Sequence, residues 1–179
     1  SKLGQSAMYS LADCQIKEGN KEAARVAFRE ASKMTHDREI QAEARYNYAK
    51  LSYELKYDRE AVNALHTITT DSKYSNEAQT MLSALFLNTR DYENALELLE
   101  NIPNKTPQMK ETYQKVAYLR GLQLYRDGNP DASKPYFLKS LENPVDNRTK
   151  ALAYYWLGEI AHNQSNYASS IQEMNKFIT

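Results

Sequence analysis

The sequence predicts an all-α protein built from antiparallel helix pairs, and three observations support this. One pattern of small, aromatic and polar residues recurs along the chain in degenerate form, with a period of about 34–38 residues that is typical of helical repeats. Apolar residues recur at the spacing of one helix face. Several of the 5 glycines and 5 prolines, among them Gly19, Gly128 and Pro103, fall between the helical patterns. Each copy of the pattern therefore predicts one helix–turn–helix unit.

Every copy places one small residue in its first helix and another in its second. A small side chain at these positions lets the two helices of a pair approach closely, while a large residue four positions on covers one face of the second helix. A single pair cannot bury its apolar stripe alone, so we expect successive pairs to stack. The small residues are Ala12, Ala49, Ser83, Gly121 and Gly158 in first helices, and Ala24, Ala61, Ala95, Ser133 and Ser170 in second helices.

The elements follow in chain order. First helices are predicted over residues 5–18, 41–55, 75–88, 108–127 and 148–163, and second helices over 21–35, 58–70, 92–102, 130–143 and 167–178. Asp58, Asp91 and Asn166 are predicted N-caps, because their side-chain oxygens can accept hydrogen bonds from free backbone amides. Asn129-Pro130 suits a cap followed by proline. Pro135 must fall in the first turn of its helix or kink it.

The composition excludes several classes of function. Hydrophobic residues make up 41% and charged residues 26% of the chain, as in ordinary soluble proteins. Lysine and arginine number 23, as do aspartate and glutamate, so a nucleic-acid partner is not expected. Cys14 is the single cysteine and cannot form an internal disulfide. No apolar run approaches the roughly 18 residues of a membrane span, so direct membrane insertion is not expected.

The copies together resemble the tetratricopeptide repeat family. The fifth copy carries Leu157-Gly158, with Trp156 beside the family's tryptophan position, and the first copy supplies Gly19, Ala24, Phe28 and Ala31. The resemblance implies a right-handed superhelix of antiparallel helix pairs, an α-solenoid. It implies a single array over residues 1–179, with repeats at about 5–38, 42–73, 76–107, 110–145 and 149–179. It also implies that Cys14 is a small buried core residue.

The run Tyr155-Trp156-Leu157-Gly158-Glu159 and the long period look like the envelope-associated branch of this family in bacteria. This likeness implies a bacterial protein in the periplasm or cell envelope rather than the cytoplasm. A second helix closes the chain where the family usually has a polar capping helix, so we expect an excerpt from a longer array. Ile171, Met174 and Phe177 should then leave apolar surface uncovered and open to self-association.

In this family the first helices line a concave groove that holds other proteins, so the resemblance implies a protein or peptide partner. Aromatic rings with polar tips suit peptide capture, because they bring contact area at low entropic cost. The alternative is that many of these tyrosines pack between helices and show only their hydroxyls. The predicted partner-binding residues are Tyr9, Asp13, Tyr46, Asn47, Lys50, Tyr53, Tyr118, Tyr125, Arg126, Tyr155, Trp156 and Glu159.

One family activity is not expected. Some members bind the C-terminal carboxylate of chaperones with Lys, Asn, Asn, Lys and Arg at set positions of three consecutive repeats. The corresponding positions here match at most once in each set, at Asn47 or at Lys115. Tyrosine, methionine and leucine at the remaining positions cannot hold a carboxylate without donors.

The sequence predicts no enzyme, cofactor or metal site. No phosphate-binding glycine motif is present, and the serines, histidines and aspartates lack a catalytic strand–turn–helix context. Glu159 and His162 have the spacing of half a di-metal site, but the other half is missing. Two functions stay open. One is an adaptor that binds a peptide or partner helix in the groove; the other is a structural spacer or assembly segment of a longer multi-repeat envelope protein, with no groove ligand.

Overall fold

The computed structural model describes residues 1–69 and 73–178, which form ten helices and no strand. The helices are α1 Lys2–Lys17, α2 Lys21–Lys33, α3 Arg38–Glu54, α4 Asp58–His66, α5 Ser75–Asn88, α6 Tyr92–Glu100, α7 Pro107–Arg126, α8 Pro130–Glu142, α9 Asn147–Asn163 and α10 Tyr167–Ile178. The all-helical class is confirmed, and every predicted helix is present. The predicted end of one second helix, at residue 70, lies outside the described residues.

The chain divides into two compact units, unit 1 (Ser1–Leu85) and unit 2 (Phe86–Thr179). In unit 1, α1 packs on α2, α2 on α3, and α3 on α4. In unit 2, each helix from α6 to α10 packs on the next one along the chain. Because short turns join neighbouring helices, the pairs are antiparallel, as in an α-solenoid. The prediction of one array with five repeat boundaries stays a prediction.

The turn inside a helix pair uses a left-handed residue in four copies. The backbone φ angle is 79° at Gly19, 81° at Gly128, 65° at Lys56 and 60° at Ser165. Each of these residues lies at the same repeat position, seven residues after the small residue of the first helix. Glycine adopts this conformation freely, whereas Lys56 and Ser165 do so at a cost of about 1–2 kcal/mol each.

Two of the predicted N-caps are confirmed. The Asp91 side chain accepts a hydrogen bond from the Asn94 backbone amide at 3.3 Å. The Asn166 side chain accepts one from the Ser169 amide, also at 3.3 Å. These bonds satisfy amides that have no partner within the helix, so they help to set where α6 and α10 begin.

Other predicted helix starts need correction. The Asp58 cap is wrong: Tyr57 holds the N-cap position without a side-chain bond, and Asp58 is the first residue of α4. There its carboxylate interacts with the positive end of the helix dipole instead. Asn129 is the N-cap of α8 as expected, with proline following it. Pro135, however, lies in the interior of α8 and not in its first turn.

Small residues lie where the helices of a pair come closest. Ala24 and Ala61 are 0% exposed, and Ala95 is 2% exposed. A Cβ atom added at Gly121 would lie 2.9 Å from the ring of Phe137 on α8. One added at Gly158 would lie 3.0 Å from the Met174 side chain on α10. At Gly121 and Gly158, both in unit 2, the facing side chain leaves little room for a larger residue, as predicted.

Two buried glutamines fix the connectors between successive helix pairs. Gln114 Oε1 accepts from the backbone amides of Val145 (2.8 Å) and Asp146 (2.7 Å), and its Nε2 donates to the Asp146 carbonyl at 2.9 Å. Gln5 makes the same paired bonds to the Asp37 backbone, at 2.8 and 3.0 Å. Asp37 and Asp146 are the N-caps of α3 and α9. Each glutamine therefore holds the start of the next pair.

The prediction of a buried thiol is wrong, because Cys14 is exposed. Its repeat equivalents, Leu51 and Ile160, are buried in apolar clusters with residues of α2 and α8. No described helix packs on the corresponding face of α1, where Leu3 and Leu11 are exposed as well. Burial at this position therefore depends on a preceding second helix and not on the residue type.

Some of the apolar side chains on α10 are exposed to solvent. Ile171 is 63% exposed and Phe177 is 40% exposed, as expected. The expectation is wrong for Met174, which is half-buried and packs on Gly158. Phe177 and Ile171 therefore carry most of the exposed apolar surface that was predicted for this helix.

Candidate functional site

The predicted partner-binding residues lie on the first helices of both units. The unit 1 face consists of Tyr9 and Asp13 on α1 with Tyr46, Asn47, Lys50 and Tyr53 on α3. The unit 2 face consists of Tyr118, Tyr125 and Arg126 on α7 with Tyr155, Trp156 and Glu159 on α9.

A polar network links α1 to α3 on the unit 1 face. The Tyr9 hydroxyl donates to Glu43 Oε2 at 3.3 Å and accepts from Asn47 Nδ2 at 3.4 Å. Lys73 Nζ donates to the other Glu43 oxygen at 2.9 Å. Burial and the nearby Glu43 charge raise the pKa of Tyr9, and the Lys73 ammonium lowers the pKa of Glu43. At neutral pH the network therefore holds a neutral phenol and a charged carboxylate.

Tyr46 is also packed rather than free. Its ring stacks on that of Tyr74, with centroids 4.0 Å apart and planes inclined by 5°. The Lys73 ammonium lies 5.0 Å from the centre of the Tyr74 ring. Burial raises the pKa of Tyr46. Tyr9 thus packs between helices, which the sequence left open as the alternative, whereas Tyr46 packs on a connector residue.

The rest of the unit 1 face is more open. Asp13 is exposed and pairs with Lys17 at 3.5 Å, a weak surface contact. Lys50 is exposed and Tyr53 is half-buried. Within the described part of the chain, neither the Lys50 ammonium nor the Tyr53 hydroxyl has a hydrogen-bond partner. These two groups are available to a ligand.

Aromatic side chains from α7 and α9 form one cluster on the unit 2 face. Trp156 Nε1 donates to the Tyr118 hydroxyl at 3.1 Å. The Trp156 ring centre lies 4.8 Å from that of Tyr125 and 5.2 Å from that of Tyr155. The Tyr125 hydroxyl accepts from Asn163 Nδ2 at 3.3 Å. The rings are therefore fixed by edge and tilted contacts as well as by hydrogen bonds.

Two charged residues on the same helices remain open. Arg126 is exposed and Glu159 is half-buried. Neither forms an ion pair or side-chain hydrogen bond with another residue that the structure describes. Unit 2 thus presents fixed rings on helices that also carry one available guanidinium and one available carboxylate.

One hydrogen bond recurs at the same repeat position in both units. The Tyr9–Asn47 and Tyr118–Trp156 partners are each 38 residues apart. Each tyrosine lies three residues before the small residue of its first helix, and each donor lies two residues before the small residue of the next copy. All four residues were predicted on the faces from the sequence, but the bonds between them were not.

Sequence reasoning also missed residues that organise these faces. Glu43 lies three residues before Tyr46 on α3, so helix spacing was a signal for it. Lys73 and Tyr74 lie in a connector, whose path the repeat period does not determine. On unit 2, Arg120 pairs with Glu93 at 2.7 Å and also lies outside the predicted set.

The described residues offer no metal-binding cluster and no membrane-spanning helix. Across residues 1–69 and 73–178, no three His, Cys, Asp or Glu side chains are grouped so that they could hold a metal ion. None of the described helices has the length and apolar character needed to cross a membrane.

Sequence profiles described as tetratricopeptide repeat match the chain over residues 118–179 and 6–33. Among solved structures, a MamA RS-1 ArsTM double mutant is 15% identical with a TM-score of 0.43, over 97% of this chain and 92% of that chain. A thermophilic TPR protein from Thermus thermophilus is 17% identical with a TM-score of 0.38, over 97% of this chain and 90% of that one. No curated protein matches the sequence significantly.

Proposed function

The chain belongs to the tetratricopeptide repeat family, and on that basis we propose that it is a non-catalytic adaptor or scaffold whose first helices bind a peptide or a partner helix. Stacked helix pairs of this kind present extended surfaces to other proteins. The profile matches support a protein–protein interaction module in general. The narrower proposal places binding on the unit 1 and unit 2 faces.

The observation that carries this proposal is the combination of fixed rings and available polar groups. The rings of Tyr9 and Trp156 are already held by hydrogen bonds, so a ligand that packs on them costs little side-chain entropy. The helices that supply their bond partners, α3 and α7, also carry Lys50, Tyr53 and Arg126, whose polar groups no described residue satisfies. Such groups supply the hydrogen bonds that orient a bound peptide.

The expected partner is a protein or peptide and not a nucleic acid. Formal net charge is zero, and the available groups on the two faces include both signs of charge. Phosphate backbones are bound by clusters of positive charge, which this arrangement does not supply. Binding of this kind needs no cofactor or metal. We also propose a bacterial periplasm or envelope as the compartment, from the family branch that the fifth copy resembles.

Peptide selection tests the proposal without knowledge of the partner. A displayed library of random peptides is panned on the immobilised chain, and the dissociation constant of the best peptide is measured by fluorescence anisotropy. We expect the double variant Lys50→Ala/Tyr53→Ala, or Arg126→Ala for a unit 2 ligand, to weaken binding at least about tenfold. Both sets are chosen because they lie outside the hydrogen-bond networks that hold the helices together.

The matched control is Arg59→Ala/Glu60→Ala, which removes two exposed side chains from the second helix α4. Binding should be unchanged in this variant. If the control weakens binding as much as the face variants do, the first helices are not the binding site. If no peptide is enriched above background, the groove proposal fails.

The spacer function is the second candidate, and one observation favours it. Ile171 and Phe177 leave apolar surface exposed on α10, and Ile178 is 76% exposed. Apolar surface of this kind is typically covered by a further repeat, a partner or a second copy. Sedimentation velocity tests self-association: the dimer fraction should fall in Ile171→Glu/Phe177→Ser. A chain that is monomeric at all concentrations would contradict self-association through this helix.

A further inference from the structure

A pocket of about 310 Å³ opens in unit 2, away from the proposed binding face. It lies where the connector between α6 and α7 passes the end of α8. Its wall contains none of the predicted partner-binding residues. The residues used below are Glu100, Pro103, Lys105, Lys110, Tyr113 and Glu142.

On one wall of the pocket, the Glu100 carboxylate is paired with neighbouring side chains. Glu100 Oε1 accepts from Lys139 Nζ at 2.5 Å and from the Tyr113 hydroxyl at 3.3 Å. Burial raises the pKa of Tyr113, and the charges of Glu100 and Glu142 add to that effect. Tyr113 therefore stays neutral, and its ring and Pro103 form a fixed apolar side of the pocket.

The other charged groups have few partners within the protein, and Lys110 and Glu142 are exposed to solvent. Lys105 Nζ donates to the Ile102 carbonyl at 2.7 Å, which uses one of the three ammonium hydrogens. Lys110 and Glu142 form no ion pair or side-chain hydrogen bond with any other described residue. Burial lowers the pKa of Lys105; the nearby Glu100 charge opposes this effect, and the Lys110 charge adds to it. A bound anion would offset the effects of burial and of Lys110.

We propose that this pocket binds a small zwitterion of the amino-acid class. The carboxylate lies between Lys105 and Lys110, and the ammonium faces Glu142. An apolar side chain packs on the Tyr113 ring and Pro103. The volume is at the lower end of the range for small-molecule sites, about 300–1,000 Å³, so the ligand is small.

The charges select this class over others. Two lysines without ion-pair partners repel a metal cation or a simple amine. The Glu142 carboxylate repels a phosphate or other dianion, because like charges at short range are unfavourable. A molecule with both charges satisfies both sides of the pocket at once. The site is separate from the proposed peptide-binding faces, so either proposal can fail alone.

Titration of the ¹⁵N-labelled full chain with L-leucine tests the proposal. Saturable chemical-shift changes are expected at the backbone amides of Lys105, Tyr113 and Asn143. N-acetyl-L-leucine lacks the ammonium and L-leucinamide lacks the carboxylate, so each should bind at least about tenfold more weakly. The variants Lys110→Gln and Glu142→Gln should each weaken L-leucine binding about tenfold. The control Glu97→Gln removes an exposed carboxylate of α6 outside the pocket and should change nothing.

Three results would overturn the proposal. The first is the absence of saturable shifts at these amides up to about 10 mM L-leucine, which corresponds to negligible affinity. The second is equal binding of N-acetyl-L-leucine, which would make the pocket a simple anion site. The third is equal binding of L-leucinamide, which would leave the lysines without a role. Preserved amide spectra of the two variants show that they are folded.

Discussion

Adding one methyl group at Gly121 and at Gly158 should have opposite effects on stability. At Gly121 the new Cβ meets the Phe137 ring at 2.9 Å, and this ring is 0% exposed. A buried ring cannot give way cheaply, and overpacking of this kind costs about 1–3 kcal/mol. Replacing glycine by alanine within a helix stabilises the folded state by about 1 kcal/mol. Gly121→Ala should therefore be destabilised by about 1 kcal/mol.

At Gly158 the neighbour is Met174, at 3.0 Å from the new Cβ. Met174 is half-buried and its unbranched chain has several rotatable bonds, so it can move aside. The helix-propensity gain of about 1 kcal/mol should then prevail, and Gly158→Ala should be stabilised. For a chain of this length, each 1 kcal/mol corresponds to a shift of about 2–4 °C in Tm.

Thermal unfolding followed by circular dichroism measures both variants. Tm should fall for Gly121→Ala and rise for Gly158→Ala. In a Phe137→Leu background, which removes the ring, the cost of Gly121→Ala should shrink. Equal destabilisation of the two alanine variants would refute the reasoning, because it would show that the identity of the facing side chain does not decide the outcome.

Three further predictions concern the connectors and the polar network. Gln114→Ala should cost about 2–4 kcal/mol, because it leaves three partly buried backbone groups without their partner. A loss below about 1 kcal/mol in urea unfolding would contradict this. Lys56→Gly and Ser165→Gly should each raise stability by about 0.5–1 kcal/mol, since they relieve positive φ; unchanged urea midpoints would show that no strain is stored there. The pKa of Glu43 is lowered from 4.5 by Lys73, so its contribution to stability is present above pH 4.5 and is lost as pH falls below that value. Between about pH 5 and 3 the urea midpoint should therefore fall less steeply for Glu43→Gln than for the wild type, and equal slopes would count against the network.

Helix positions and small residues followed from the sequence because both are local and periodic. The repeat pattern contains both the small residue Gly121 of the first helix and the large residue Phe137, which lies four positions after Ser133 in the second helix. The contact between Gly121 and Phe137 therefore follows from the pattern. The repeat period carried this information even where single copies were weak. Periodicity of this kind is the strongest structural signal in a single sequence.

Burial and side-chain partners did not follow from the sequence to the same degree. Cys14 occupies a repeat position that is buried only where a second helix precedes it, so the position alone could not decide its exposure. Tyr9 and Tyr46 were placed on the correct helices, but their partners Glu43 and Tyr74 depend on how neighbouring helices and a connector pack. Lateral packing is set by three-dimensional contacts that a repeat pattern does not contain.

Mapping a bound peptide onto the chain tests the central claim most directly. Hydrogen–deuterium exchange of the full chain would be compared with and without saturating amounts of a selected peptide. The account predicts slower exchange in the first helices that carry a face, α1 and α3 or α7 and α9, with α4 and α8 unchanged. Protection confined to second helices, or to the exposed side of α10, would contradict binding through the first helices.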